Sequence, residues 1–406
     1  MSTHSTPRDP INSSKDRGID DWEFEDPSFT AASVIRATLF SSWVNLLLIC
    51  VPAGFAVNYT RGKSTETFII NFFAIIPLSK MSEFTLHEIE IRNESLASFL
   101  YVTLCNFVQL VCSIILLKDN KISILQTTLI GGILSNILLV LGISIILGGY
   151  ERIQQNYNIV LAHTSANLLS LASTSLLIPT SAHLLSQINV KNLVKQPRGA
   201  SVVLLIVYFA YAFFFYKSHA ELCSKPSPKA EKRIKRVYAR DTERGIAQIA
   251  RMTAGSIGDP TTQVLRLEDP DAEPDDPKLY HYTALAILVV TTVLMGFCTQ
   301  FAVDSIDSLS QKANLSKTFI GLILLPILNN DIGPVEQALA DKMDLTIQFT
   351  IGKCLQTALF VLPFTVLLGW CMKVDMTLNF DGFEVVSLFA SILLLNYLIY
   401  EGKSTW

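Results

Sequence analysis

Ten long apolar runs limit what this 406-residue chain can fold into. They cover roughly residues 38–58, 66–86, 96–117, 124–148, 157–182, 199–216, 281–303, 315–339, 345–371 and 382–400. An α-helix needs about 20 predominantly apolar residues to cross the hydrocarbon core of a bilayer, and most of the runs reach that length. Within that core no water satisfies a backbone N–H or C=O, so such runs predict helices and not open strands or loops. Half of the chain is hydrophobic and 17% is charged, a balance of polytopic membrane proteins rather than soluble domains. The predicted fold class is therefore an all-α polytopic membrane protein, surrounded by lipid.

The polar segments divide the chain. Residues 1–37 are polar and mixed in charge, with no Arg-rich transit peptide, and the first apolar run starts too late for a cleaved signal peptide. They are expected to be a disordered cytosolic N-terminus. Residues 38–216 hold six spans, residues 217–280 are hydrophilic, and residues 281–406 hold four spans. The hydrophilic segment is basic first (KAEKRIKRVYAR, 229–240) and acidic later (EDPDAEPDD, 268–276), which reads as a loop rather than a domain. Its basic part follows the sixth span directly, so the positive-inside tendency places it in the cytosol, and the N-terminus with it. The net charge of −3 argues against a nucleic-acid partner. Cys50, Cys105, Cys112, Cys298, Cys354 and Cys371 lie within apolar runs and read as small packing residues, not as a disulfide framework. The histidines show no metal-ligand spacing.

The chain also repeats itself. IGGILSNILLVLG (130–142) aligns without gaps on IGKCLQTALFVLP (351–363), with six of thirteen positions identical. Each copy follows a span with a polar interruption, TLCNFVQLV (103–111) in one case and NNDIGPVEQ (329–337) in the other. Spans two and eight are the least continuous. Two halves of this kind, separated by a long loop, suggest a repeat transporter whose site lies near the membrane midplane, where broken helices expose backbone carbonyls. A repeat unit of five helices, an odd number, forces the two copies to run in opposite directions.

Several blocks resemble the cation/proton exchanger (CAX) family, and within it fungal vacuolar calcium/proton antiporters. They are SSWVNLLLICVPAGFAV (41–57), FIINFFAIIPL (68–78), GGILSNILLVLGISIILGG (131–149), PRGASVVLLIVYFAYAFFF (197–215), LVVTTVLMGFCTQFAVDSID (288–307), LSKTFIGLILLPI (315–327), DKMDL (341–345) and the segment from Met376 to Trp406. The resemblance implies a leading helix followed by two inverted five-helix repeats, in an internal and specifically vacuolar-type membrane. Ending at Trp406, the second repeat has four spans in place of five. The resemblance further implies calcium as a transported ion rather than a bound cofactor, exchanged against protons at carboxylates in the core. Calcium favours six to eight oxygen ligands, and a buried carboxylate holds either a proton or the cation.

The sequence departs from the family at those carboxylates. The family's Gly-Asn-Ala-Val-Glu stands here as Cys105, Asn106, Phe107, Val108 and Gln109. Its Ala-Glu-Phe in the seventh span stands as Thr299, Gln300 and Phe301. In the second repeat, aligned from LLPI, Gly-Asn-Ala-Ala-Glu-His stands as Asn329, Asn330, Asp331, Ile332, Gly333 and Pro334; counted back from DKMDL, Asp331 falls near the lost acid instead. Ser135 and Asn136 keep the family's form. They read equally as cavity-facing or as helix-packing groups. Lys353 lies about 12 Å into its span at 1.5 Å per residue, where an ammonium costs roughly 2.5–3.5 kcal/mol unless paired. Asp331 is the first candidate partner and Glu336 the second. Glu88 reads as an interfacial solvated acid, and Asp304 and Asp307 as lumenal surface charges.

Two functional readings follow. One is a divergent calcium or cation/proton antiporter of altered specificity. Its ion site would comprise Asn106, Gln109, Ser135, Asn136, Gln300, Asn330, Asp331 and Glu336, with Gln109 and Asp331 nearest the metal. The other is an exchanger fold that no longer transports: a pseudo-transporter, or a membrane enzyme of cyclase or isomerase type using Asp331 and Lys353 as acid–base groups. Amides accept hydrogen bonds but do not exchange protons near neutral pH, so Asp331 is the acid on which proton coupling is expected to rest.

Overall fold

The computed structural model describes residues 36, 38, 43–92, 104–151, 154–185, 195–218, 279–328, 330, 333–374, 376, 378 and 380–405. The expected disordered N-terminus and nearly all of the basic-then-acidic loop lie outside the described residues. A 3₁₀ segment, Trp43–Ile49, leads into α1 (Cys50–Arg61), followed by α2 (Thr65–Arg92) and α3 (Phe107–Lys118). Ile122–Leu134, a π-helical turn at Ser135–Val140 and Leu141–Glu151 run on without a gap as one rod, α4. α5 (Ile159–Leu185), α6 (Lys195–Phe213), α7 (His281–Asp304) and α8 (Ile306–Ala313) come next. α9 joins Lys317–Phe319, a π turn at Ile320–Leu324 and Leu325–Leu328, and α10 is the short Gly333–Leu339. α11 joins Met343–Gln356, a π turn at Thr357–Val361 and Leu362–Met372, and α12 is Gly382–Ile399.

Among the described residues, seven helical stretches are long and apolar enough to cross a membrane, with three shorter apolar helices (Phe107–Lys118, Pro197–Phe213 and Lys317–Ile327) beside them. These ten match the ten apolar runs one for one. Outward-facing Leu138, Leu139, Val202, Val203, Ile206, Phe209, Val290, Val293, Leu393 and Leu394 give the bundle an apolar exterior. A soluble protein would bury such residues; a hydrocarbon surround leaves them where they are. Two short strands, β1 (Gln154–Asn156) and β2 (Lys403–Thr405), pair antiparallel, with Gln154 opposite Thr405, and tie the end of α4 to the end of α12.

Helices from before and after the loop interleave. α2 lies along α7, α5 against α11 and α12, α6 against α11, and the second half of α4 against α10. The tightest crossing is between α4 and α9. A Cβ on Gly131 would overlap the carbonyl oxygen of Leu322 and come 2.8 Å from Pro326 Cγ, while one on Gly321 would meet Thr127 Cβ at 3.1 Å. Small residues at a crossing let two backbones approach, which supplies packing where lipid removes the hydrophobic driving force between helices.

One end of the bundle is tied by ion pairs. Lys121, just before α4, and Lys317 in α9 both reach Asp307 of α8, at 2.8 and 3.0 Å, and Lys63 lies 3.5 Å from Asp304. The two aspartates are therefore cross-links between elements and not isolated surface charges. Hydrogen bonds from Lys121 and Lys317 hold the Asp307 carboxyl below its ordinary range.

Two outcomes test this packing. Gly131→Ala forces backbone to move and lowers stability by about 1–3 kcal/mol. Gly142→Ala, with nothing within 4 Å of the added methyl, is neutral or gains up to about 1 kcal/mol of helix propensity. Thermal melting of the detergent-purified protein separates them. For Asp307, the depressed carboxyl contributes stability above its unfolded pKa of about 3.9, and that contribution is lost as pH falls through the lower folded value. Melts of Asp307→Asn therefore lie below native by an amount worth under about 1 kcal/mol, because the group is 44% exposed. The gap stays constant from about pH 8 to pH 5 and closes only in stronger acid.

Candidate functional site

Two interruptions among the described helices each send a side chain to a helix that follows the other break. Before α3, Leu104 is helical but Cys105 and Asn106 form a turn, with Asn106 at φ −115° and ψ 24°. α9 stops at Leu328 and α10 begins at Gly333, with non-helical Asn330 between them. Pro334 suits the start of α10, since it lacks an N–H that a first turn leaves unpaired. Asn329, Asp331 and Ile332 lie outside the described residues, so Asp331, the expected coupling acid, takes no part in the geometry that follows.

At the first break, Asn106 is 1% exposed. Its Nδ2 donates to the Lys353 carbonyl at 3.1 Å and to Gln356 Oε1 at 3.1 Å, both on α11. The Cys105 thiol donates to the same Gln356 oxygen. At the second break, Asn330 Nδ2 donates to Ser135 Oγ on α4 at 2.7 Å, while the buried Asn330 Oδ1 accepts nothing among the described residues. In the aligned thirteen-residue segments, Ser135 and Gln356 occupy the same position. Each break thus reaches the same point of the other segment. The correspondence continues: Asn136 Nδ2 and Thr357 Oγ1, also aligned, bond back to the Gly132 and Lys353 carbonyls at 2.9 and 3.0 Å. Aligned Ile133 and Cys354 meet each other, the thiol 3.7 Å from the Ile133 carbonyl. The π turns begin at Ser135 and Thr357, and turns of this kind recur at functional sites.

The remaining site candidates fall into place around these breaks. Gln109 is 1% exposed, and its Nε2 donates to the Thr128 carbonyl of α4 at 3.1 Å. It lies over Gly132, where a Cβ would come 3.4 Å from both amide heteroatoms. Of the Ser135–Asn136 pair, the serine bridges to the second break and the asparagine amide N–H serves its own helix. Gln300 is exposed on α7, beside the buried Thr299, and is not brought into this group.

Lys353 is 5% exposed, on the turn of α11 whose carbonyl receives Asn106 and Thr357. Glu336, the second candidate partner for that ammonium, is elsewhere: its Oε2 sits 2.6 Å from Lys80 Nζ of α2. The reason is that the helix restarts only at Gly333, which places the first turn of α10 beside α2. Lys80 also bonds Glu83 at 3.1 Å. Neither Lys80 nor Glu83 was singled out from sequence, although both cause the polar interruption that makes the second span discontinuous. Glu88, read as a solvated interfacial acid, is in fact 3% exposed and accepts the Leu279 N–H at 3.2 Å, fixing the approach to α7. Among the described residues no three His, Cys, Asp or Glu side chains gather as a metal cluster. The group is instead rich in amides, hydroxyls and backbone carbonyls, with carboxylates and ammonium groups in pairs.

The chain is similar to known proteins. The chain is 32% identical over 378 residues to a vacuolar calcium ion transporter of Schizosaccharomyces pombe, covering 91% of this chain and 82% of that one. It is 31% identical to a vacuolar calcium ion transporter of Cryptococcus neoformans, covering 92% and 72%, and 30% identical to a Ca2+/H+ antiporter of Aphanothece halophytica, covering 89% and 90%. Among solved structures, native YfkE superposes with a TM-score of 0.67 at 21% identity over 89% of this chain and 93% of that one. The H+/Ca2+ exchanger CAX gives 0.59 at 10% identity over 91% and 84%. Both likenesses show the fold alone. The sodium/calcium exchanger protein family model matches residues 63–217 and 283–406, and with the relatives above this shows that the chain belongs to that family.

Proposed function

We propose that the protein is a divergent vacuolar-type calcium or related cation/proton antiporter, with cation and proton as its transported species and a site altered from that of its relatives. The names of the relatives support the class of reaction. One observation carries the reading for this chain: two helix breaks are joined reciprocally, Asn106 to Gln356 and Asn330 to Ser135. Such reciprocity is what two repeats of opposite orientation produce at their interface, residues 38–216 supplying one half and 281–406 the other, with 217–280 as the cytosolic connection. Broken helices at that interface turn carbonyl oxygens toward a central path, the type of ligand that hard divalent cations take.

Asn106, Gln109, Ser135, Asn136, Asn330 and Asp331 then form the polar lining. Gln109 contributes a neutral oxygen where a carboxylate would bind calcium more strongly. Lys353 lies on the turn of α11 that receives the first break. The lost carboxylate lowers affinity for a divalent cation, and Asp331 is the acid on which proton exchange is proposed to rest.

The test is calcium-45 uptake into vacuolar vesicles from a yeast strain lacking its own exchanger, with and without a proton gradient. Gradient-dependent uptake that vanishes in Asp331→Asn is the expected result. Uptake indifferent to the gradient, or absent from correctly inserted and abundant protein, removes the antiport reading. In the same assay Asn106→Ala removes one of the donors to the Gln356 oxygen and one of those to the Lys353 carbonyl, at about 0.5–1.5 kcal/mol, and cuts uptake by up to about tenfold on that scale. Gln109→Glu restores a carboxylate and lowers the calcium concentration for half-maximal uptake.

A further inference from the structure

One stretch of chain, from Ser135 to Gln155, reaches the second break twice. The first contact is in the break itself, where Asn330 Nδ2 bonds Ser135 Oγ at the start of the π turn in α4. The second lies beyond it, at the far end of α10. That helix has only seven residues, Gly333–Leu339. A helix so short is marginal by itself and takes its position from its neighbours. Gln155 of β1 is 1% exposed, and its Nε2 donates to the Ala338 carbonyl at 3.1 Å and to Asp341 Oδ1 at 3.2 Å. At Asp341 the backbone enters the left-handed region, with φ 60°, and turns toward α11. One buried amide therefore holds both the last turn of α10 and the residue that ends it.

The seat of this amide involves three elements. A Cβ on Gly148, near the end of α4, would lie 2.6 Å from Gln155 Oε1 and 3.0 Å from the Ala338 carbonyl oxygen. Glycine at 148 lets α4, β1 and α10 meet there. The strand is itself fixed from elsewhere: Gln155 stands opposite Ser404 of β2. Two residues on, Tyr157 donates its N–H to the Gly402 carbonyl and its hydroxyl to the Leu398 carbonyl, both at 3.3 Å. The place of Gln155 is thus set by α4 and α12, and α10 is held against it.

We propose that Gln155 is a positioning residue for the transport site: by fixing the end of α10 it sets the spacing of the second break, with Ser135 as the other fixed point. This rests on the antiporter reading for its effect on transport, but not for the hold on α10. Gln155 touches no transported ion and acts through Ala338 and Asp341. Without the hold, the break must be ordered afresh each time a cation binds. The loss then appears in apparent affinity and not in the maximal rate.

Gln155→Met keeps the length of the side chain and removes both donated bonds. In the calcium-45 uptake assay the calcium concentration for half-maximal uptake rises about fivefold, while the maximal rate stays within about twofold of native. A general loss of structure does the reverse, lowering the maximal rate through the amount of competent protein. Half-saturation at the native value overturns the proposal. Should Gln155→Met fail to fold, Gln155→Glu and the double variant Gln155→Glu/Asp341→Asn decide. The single change sets a second carboxylate against Asp341 and raises half-saturation. The double change restores a donor and an acceptor between the same two positions, with direction reversed, and brings it back toward native; no recovery overturns the proposal. Deuterium exchange at the amides of residues 333–341, in full-length protein in detergent, separates this role from antiport. Faster exchange there in Gln155→Met, in a protein whose native form shows no gradient-dependent uptake, leaves the hold standing and removes antiport. Gradient-dependent uptake by the native protein, with exchange and half-saturation both unchanged in Gln155→Met, leaves antiport standing and removes this role.

Discussion

A broken helix inside a bilayer must find partners for the polar groups it releases, because hydrocarbon offers none. The fold depends on how the two interruptions meet that demand. Each sends an asparagine amide to a helix from the other side of the loop: Asn106 to the Lys353 carbonyl and Gln356, Asn330 to Ser135. These bonds join helices from before and after the loop, so partners for the breaks and contacts between the halves come from the same groups. The glycine contacts of α4 with α9 bring the backbones near enough for them.

Charge follows the same economy of space. Three positions that read as opportunities for acidic ligands, Gln109, Gln300 and Gly333, carry no charge, while Lys80 and Lys353 are cationic. An unpaired ammonium at such depth is costly, so each lysine constrains its surroundings. For Lys80 the surroundings are visible as two carboxylates, one on either side. The consequence is a polar centre balanced by internal ions to a greater degree than an open ligand cage would be.

The sequence made much of the architecture legible. Its ten apolar runs correspond one for one to the apolar helices, because backbone satisfaction in lipid leaves few alternatives to a helix of the required length. The break in NNDIGPVEQ was legible for a local reason as well: Pro334 suits the first turn of a new helix, which begins at Gly333 after α9 has stopped at Leu328. Asn106, Gln109, Ser135 and Asn330 were recognisable as polar groups in apolar runs; the structure buries Asn106 and Gln109 and joins Asn330 to Ser135. Glu336, the second candidate partner for Lys353, bonds Lys80. The helix restarts at Gly333 and presents that side chain to α2. Glu88 read as solvated because it stands near the end of its run, yet the approach to α7 covers it and supplies a backbone donor.

What the sequence determined alone is therefore the set of helices, their interruptions and the loss of acids at Gln109 and Gln300. These are properties of local composition acting against a uniform solvent, the bilayer. The pairing of polar groups was decided only by tertiary structure. Lys80 and Glu336 are separated by 256 residues, as are Asn106 and Gln356 by 250, and nothing in the local pattern selects one distant partner over another. That choice belongs to the crossing of α4 with α9 and to the lie of α2 beside α10. There a missing Cβ at Gly333 admits the Glu83 carboxylate.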